Sequence, residues 1–153
     1  MKEDRVAKAI ALFKEGYNCS QSVVAAFADE YGFTREQALR MAASFGGGIG
    51  RMRETCGAAC GMFLLAGLET GATEGSDREG KAANYALVQE LAEEFKRRNG
   101  ALRCADLLGL SKKKPVISTP EARTEQYYAK RPCVKMVEEA AKIWSEYLEM
   151  HKK

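Results

Sequence analysis

Apolar residues recur along this chain at intervals of three and four, the spacing that lays one face of an α-helix against a core. The stripes are Val6, Ile10 and Phe13; Val23, Phe27 and Tyr31; Val88, Leu91 and Phe95; and Val134, Val137, Ala141, Trp144 and Leu148. Helix-start signals stand beside them. Thr34 with Gln37 and Ser76 with Glu79 have the spacing of a capping box, and Thr119 before Pro120 sets a cap ahead of a first-turn proline. Asn99-Gly100 and Gly109 read as helix stops. The pattern predicts helices over 3–14, 19–31, 35–44, 56–69, 77–98, 101–108, 120–130 and 133–150, joined by linkers at 46–50, 70–76 and 109–118. The one strand-like fragment, PVIS at 115–118, is too short and isolated to make a sheet. With no internal repeat, the expectation is an all-α, single-domain helical bundle over residues 1–153.

Composition narrows the class without changing the fold. Apolar residues at 46% and charged residues at 29% of 153 are those of a globular chain, long enough to bury a core without disulfide staples. The uncharged, largely apolar segment CGAACGMFLLAGL at 56–68 falls short of the roughly 20 residues a spanning helix needs, so no membrane insertion is expected. The start, MKEDRVAKAIALFKEG, carries charge through its apolar pattern and does not read as a secretory signal; a cytoplasmic location is the expectation. A net charge of +3 is too small and dispersed to imply nucleic acid, and the basic run SKKKP at 111–115 reads as a solvated loop.

The candidate chemistry lies in five cysteines: Cys19, Cys56, Cys60, Cys104 and Cys133. Cys19 follows Asn18, Cys56 follows Thr55 and Cys133 follows Pro132, which sets three of them in predicted first helical turns. There the unpaired N–H groups and the helix dipole favour thiolate over thiol. Arg51, Arg53, Arg103, Lys130 and Arg131 add positive charge nearby in sequence. The competing reading makes each cysteine a small buried hydrophobe.

Cys56 and Cys60, four apart on a helix, share a face about 6 Å apart along the axis. A disulfide needs Cβ atoms near 3.8 Å, so this pair is not expected to bridge and each must find its partner elsewhere. Gly57 and Gly61 form an adjoining stripe on which a second helix can approach closely. Two glycines in one turn cost about 1 kcal/mol each against alanine, which calls for such a packing reason.

The segment CGAACG at 56–61 has the form C-G-A-x-x-G. One cysteine precedes it in GYNCSQSV (16–23), and single cysteines follow in LRCADLLG (102–109) and KRPCV (130–134). In this order and spacing the chain resembles the C_GCAxxG_C_C family of small proteins, for which redox activity is supposed. The resemblance runs from Gly16 to Cys133 and implies that Cys19, Cys56, Cys104 and Cys133 carry the site. Cys60 falls on a variable position of the pattern and is an extra thiol.

Two chemistries stay open at this point. In one, the thiols are a dithiol/disulfide site that passes electrons to an unidentified redox partner, protein or small molecule. In the other, Cys19, Cys56, Cys104, Cys133 and the extra Cys60 supply ligands to zinc or an iron–sulfur cluster. A structural or interaction domain whose cysteines merely pack is the third alternative. Either site requires the four family cysteines to converge at one end of the bundle. The single histidine, His151, lies in the terminal MHKK and argues against a Cys-His nucleophile pair. No phosphate-loop motif is present, and no strand precedes GGGIG at 46–50. That glycine run, through Gly47, Gly48 and Arg51, is a candidate cradle for an anionic ligand beside Cys56, or else a flexible interhelical loop.

Overall fold

The computed structural model describes residues 2–109, 117–130 and 132–151, and the chain is all-α. Helix α1 spans Lys2–Lys14 and α2 spans Cys19–Phe27, extended by a 3-10 turn over Ala28–Tyr31. Asn18 caps α2 reciprocally with Gln21: its side-chain oxygen accepts from the Gln21 N–H, and Gln21 Oε1 accepts from the Asn18 N–H. Helix α3, Arg35–Ala42, begins with the Thr34/Gln37 box read from the sequence. A 3-10 turn over Ala43–Phe45 leads into α4, a single irregular turn at Gly46–Ile49. Then follow α5 (Gly57–Thr70), α6 (Arg78–Asn99), the one-turn α7 (Cys104–Leu107), α8 (Glu125–Lys130) and α9 (Cys133–Met150).

Helix α5 is apolar on nearly every face, as a helix surrounded by others must be. Its most extensive partner is α2, and α6 and α9 also pack against it while α1 crosses α2 and α9. Close approach of α2 and α5 depends on missing side chains. A Cβ on Gly61 would stand 2.9 Å from Val23 Cβ and 3.1 Å from the Ser20 carbonyl oxygen. The main core collects Phe13, Phe27, Met62, Leu65, Phe95, Val137 and Trp144 from five helices, each of these side chains contributing about 1.5–3 kcal/mol by leaving water. Every residue of the predicted stripes belongs to it or packs against it. A smaller cluster of Leu12, Val24, Ala25, Ala38 and Ala42 seats α3 on α1 and α2.

Three boundaries differ from expectation. The cap of α6 is Asp77 rather than Ser76, because Asp77 presents the carboxylate that accepts from the Gly80 N–H. Helix α8 starts at Glu125, five residues beyond Pro120; Thr124 accepts from the Tyr127 N–H, while residues 117–124 run as an irregular segment. The helix expected over 101–108 shrinks to α7, because residues 102 and 103 pair as extended backbone with 54–56. Asn99-Gly100 ends α6 as read, with Gly100 at φ 89°. The SKKKP loop, the first half of PVIS, and Arg131 lie outside the described residues. Among the described residues no helix is long and apolar enough to cross a membrane.

Candidate functional site

Two local devices bring distant cysteines to one end of the bundle. The first is the glycine run. Gly47, Gly48, Ile49, Gly50 and Arg51 all have φ between 60° and 75°, and Arg53 follows at 63°. Left-handed backbone costs non-glycine residues about 1–2 kcal/mol each, so Ile49, Arg51 and Arg53 sit here under strain. Loop hydrogen bonds hold it: Gly50 N–H to the Ser44 carbonyl at 2.8 Å, Arg51 N–H to Gly46 at 3.2 Å, and Glu54 N–H to Gly48 at 2.9 Å. A Cβ on Gly48 would stand 2.5 Å from the Cys104 Cβ, so the bare backbone of this turn is what seats α7.

The second device is an isolated antiparallel bridge between Thr55 and Arg103. Cys56 N–H donates to the Leu102 carbonyl at 2.8 Å, and Cys104 N–H donates to the Glu54 carbonyl. The bridge sets Cys56 and Cys104 diagonally across two paired segments, each at the entrance of its helix. Cys19 and Cys133 open α2 and α9 directly. The sequence foresaw helix starts at three of the cysteines, and Cys104 makes a fourth.

Cys19, Cys56, Cys104 and Cys133 together line one cavity of about 110 Å³, whose wall also includes Phe13, Gly47, Gly48, Arg53, Arg123 and Tyr127. Cys56 and Cys104 are buried; Cys19 and Cys133 are half-buried. Cys19 and Cys133 open on the same space, near enough to influence one another's ionisation. Cys60 stands apart. Its thiol faces the Thr55 carbonyl at 3.8 Å, and it takes no part in the cavity wall.

Thiol acidity runs against the helix-start expectation. The N–H groups of Ala59 and Ala58 do aim at Cys56 and favour its thiolate, but burial outweighs them and pushes the thiol up to about 12. The neighbouring Cys133 sulfur, followed by burial, pushes the Cys19 thiol well above its ordinary value. Burial alone raises Cys60 to about 11.

The cations near the cavity are mostly engaged. Arg53 donates to Cys104 Sγ at 3.6 Å. Arg51 donates to the carbonyls of Ile117 and Thr119, tying the glycine turn to segment 117–124. Arg123 anchors the other end of that segment: its guanidinium lies over the Phe13 ring at 4.2 Å and donates to the Phe13 and Tyr17 carbonyls at 2.7 and 2.9 Å. Arg103 pairs with Glu54 and does not line the cavity. Gly47, Gly48 and Arg51 do reach the cavity wall, but the amides of residues 50–54 turn inward to the loop's own carbonyls or to Ser44. An anion cradle built on them has few donors left to offer.

Arg123 and Tyr127 were not singled out from sequence, where EARTEQYY carries no motif; the visible signal was aromatic and basic residues a few positions ahead of a family cysteine. Among the described residues no group of three or more histidine, cysteine, aspartate or glutamate side chains is drawn together as a metal shell. No curated protein and no solved structure matches the chain. Residues 17–147, which span all four cavity cysteines and the motif between them, match the family described as "Putative redox-active protein (C_GCAxxG_C_C)", and the chain belongs to that family.

Proposed function

We propose that this protein is a dithiol/disulfide redox carrier in which Cys19 and Cys133 are the pair that oxidises, with Cys56 and Cys104 completing the thiol-lined cavity. The observation that carries the reading is that Cys19 and Cys133, both half-buried and both opening helices, face one small cavity lined by all four family cysteines. The family's redox description agrees with it. In the reaction the dithiol gives two electrons and two protons to a disulfide of a partner protein or small molecule. The protein gains a Cys19–Cys133 bond and the acceptor leaves as two thiols. A reducing compartment such as the cytoplasm suits a carrier that rests as the dithiol.

The test is disulfide mapping. Protein prepared without oxygen and treated with oxidised glutathione is expected to lose two thiols, with the peptides of Cys19 and Cys133 found linked. Stoichiometric zinc or iron in the anaerobic preparation, with the same thiols shielded from alkylation, would replace this reading by the metal-binding one. Five thiols that stay free under oxidant would leave a structural domain.

A further inference from the structure

One stretch of chain stands between the thiol cavity and solvent. Within segment 117–124, Pro120, Glu121 and Arg123 line the cavity beside the four cysteines, while residues 117–122 are exposed to water. The segment is irregular backbone, and its bond from the Thr124 N–H to the Ala122 carbonyl at 3.0 Å is internal. Two arginines tie it down unequally. Arg123 reaches inward, donating to the Phe13 and Tyr17 carbonyls at half-buried positions, and its guanidinium lies 4.2 Å from the ring centre of Phe13, a core residue. Thr124 then opens α8 by accepting from the Tyr127 N–H. Arg51 ties the other end from the glycine turn: its Nη1 donates to the carbonyls of Ile117, at 2.9 Å, and Thr119, both in the open. Water competes for exposed hydrogen bonds, so this end is the weaker hold.

Arg51 keeps that position under strain. Its backbone lies at φ 63°, where glycine is at ease and arginine is not. Its side chain runs across the bare backbone of Gly47, where an added Cβ would stand 2.7 Å from Arg51 Cγ. A strained residue standing where glycine would fit points to a use for its side chain, and this side chain reaches the strap. The cavity beneath, at about 110 Å³, is smaller than the roughly 300 Å³ at which sites for drug-sized ligands begin. A disulfide carried on a peptide, or on a molecule as large as oxidised glutathione, is too big to enter a space of that size.

Resting on the dithiol reading above, we infer that segment 117–124 is a gate over the thiol cavity, hinged at Arg123 and latched by Arg51, which admits a bulky disulfide to the cysteines only when the latch lets go. Opening breaks the two Arg51 hydrogen bonds and leaves the Arg123 end seated, so the strap swings away from the glycine turn while α8 keeps its place. The consequence is selection by size. Small reagents reach the sulfurs with the gate shut, whereas peptide-sized disulfides wait on its opening. Arg51 acts through the segment it holds and is a positioning residue.

Site-resolved thiol labelling of the reduced protein tests the gate, with Cys60 as internal standard because it is buried outside the cavity wall. Asparagine tolerates left-handed backbone but is too short to replace the latch. In Arg51→Asn, labelling of Cys19 and Cys133 by fluorescein maleimide is expected to rise about tenfold over wild type, with iodoacetamide rising less than about threefold and Cys60 unchanged. Arg51→Gly removes the latch and relieves the turn, so it should show the same rise with a thermal midpoint within a few degrees of wild type. Equal gains with both reagents, or a gain at Cys60, would mean general loosening and overturn the gate. No gain in either variant would overturn it as well. Labelling does not depend on turnover, so the two readings fail separately. If oxidised wild type lacks the Cys19–Cys133 link while labelling responds as expected, the dithiol reading fails and the gate stands. If the link forms and labelling does not move, the gate fails and the dithiol reading stands.

Discussion

The Cβ of Cys19 stands 3.3 Å from the point a Cβ on Gly57 would occupy, and the Phe45 carbonyl oxygen stands 2.8 Å from it. The glycine next to the motif's first cysteine is thus the space that lets another family cysteine into the cavity. Gly57→Ala and Gly61→Ala are each expected to destabilise the fold by about 1–3 kcal/mol through overpacking of α2 on α5. Gly67 is the internal control: it lies on the same helix with nothing within 4 Å of an added Cβ, so Gly67→Ala should gain about 0.5–1 kcal/mol. Urea unfolding of the three variants under reducing conditions measures both signs. Equal destabilisation at Gly57 and Gly67 would remove the packing argument.

Alkaline pH should weaken the reduced protein. Burial raises the folded Cys56 thiol from an ordinary value near 9 to about 12, and Cys60 to about 11. A thiol whose folded value is raised contributes stability that is fully present below pH 9 and is lost as pH climbs toward the folded value. Each such group removes up to about 1.4 kcal/mol per pH unit in that window. Unfolding free energies at pH 8, 9 and 10 should therefore decline, and less steeply in Cys56→Ala. A flat profile would show that the buried thiols do not govern it.

Cys60 should be dispensable for redox chemistry although it is buried. Its thiol meets the Thr55 carbonyl and not the cavity. Cys60→Ser is expected to fold, to lose no more than about 1–2 kcal/mol from placing a hydroxyl in a mostly apolar site, and to form the Cys19–Cys133 link as the wild type does. Loss of that link in this variant, with folding intact, would bring the fifth thiol into the site.

Much of this architecture was readable in the residues, and the failures have physical causes. The Thr34/Gln37 box and the Asn99-Gly100 stop are local chemistry, settled within one helical turn, and both stand where they were read. The stripe from Val134 to Leu148 needed only its own period. Pro120 misled because a proline that fits a first turn fits an irregular segment equally well, and tertiary hydrogen bonds from Arg51 and Arg123 decide for the latter. The acidity of Cys56 was misjudged because helix-start donors are a local property whereas burial is set by residues far away in sequence. That Tyr127 would join Cys133 in one cavity wall could not be read at all, since it depends on contacts far apart in sequence.

Oxidation is expected to stabilise the fold measurably. A bond between Cys19 and Cys133 would close about three quarters of the chain into one loop, and restricting an unfolded loop of more than about 100 residues is worth on the order of 4–5 kcal/mol in the chain-entropy account. Thermal scans of oxidised and reduced protein should differ by several degrees or more, and Cys133→Ser should abolish the difference. Identical transitions, with the bond verified by mapping, would mean that native-state strain cancels the gain.

The bridge between Thr55 and Arg103 joins segments on either side of α5 and α6, and the remaining cavity wall comes from the start of α2 and the start of α9. In kinetic terms, neighbouring helices such as α1 and α2, or α5 and α6, meet across short connections and assemble early, whereas the bridge and the cavity shared by Cys19 and Cys133 wait on closure of long loops. A ribosome must release almost the entire chain before the last sulfur arrives. Until then the four cysteines are separate along the chain, and the cavity they line exists only in the folded molecule.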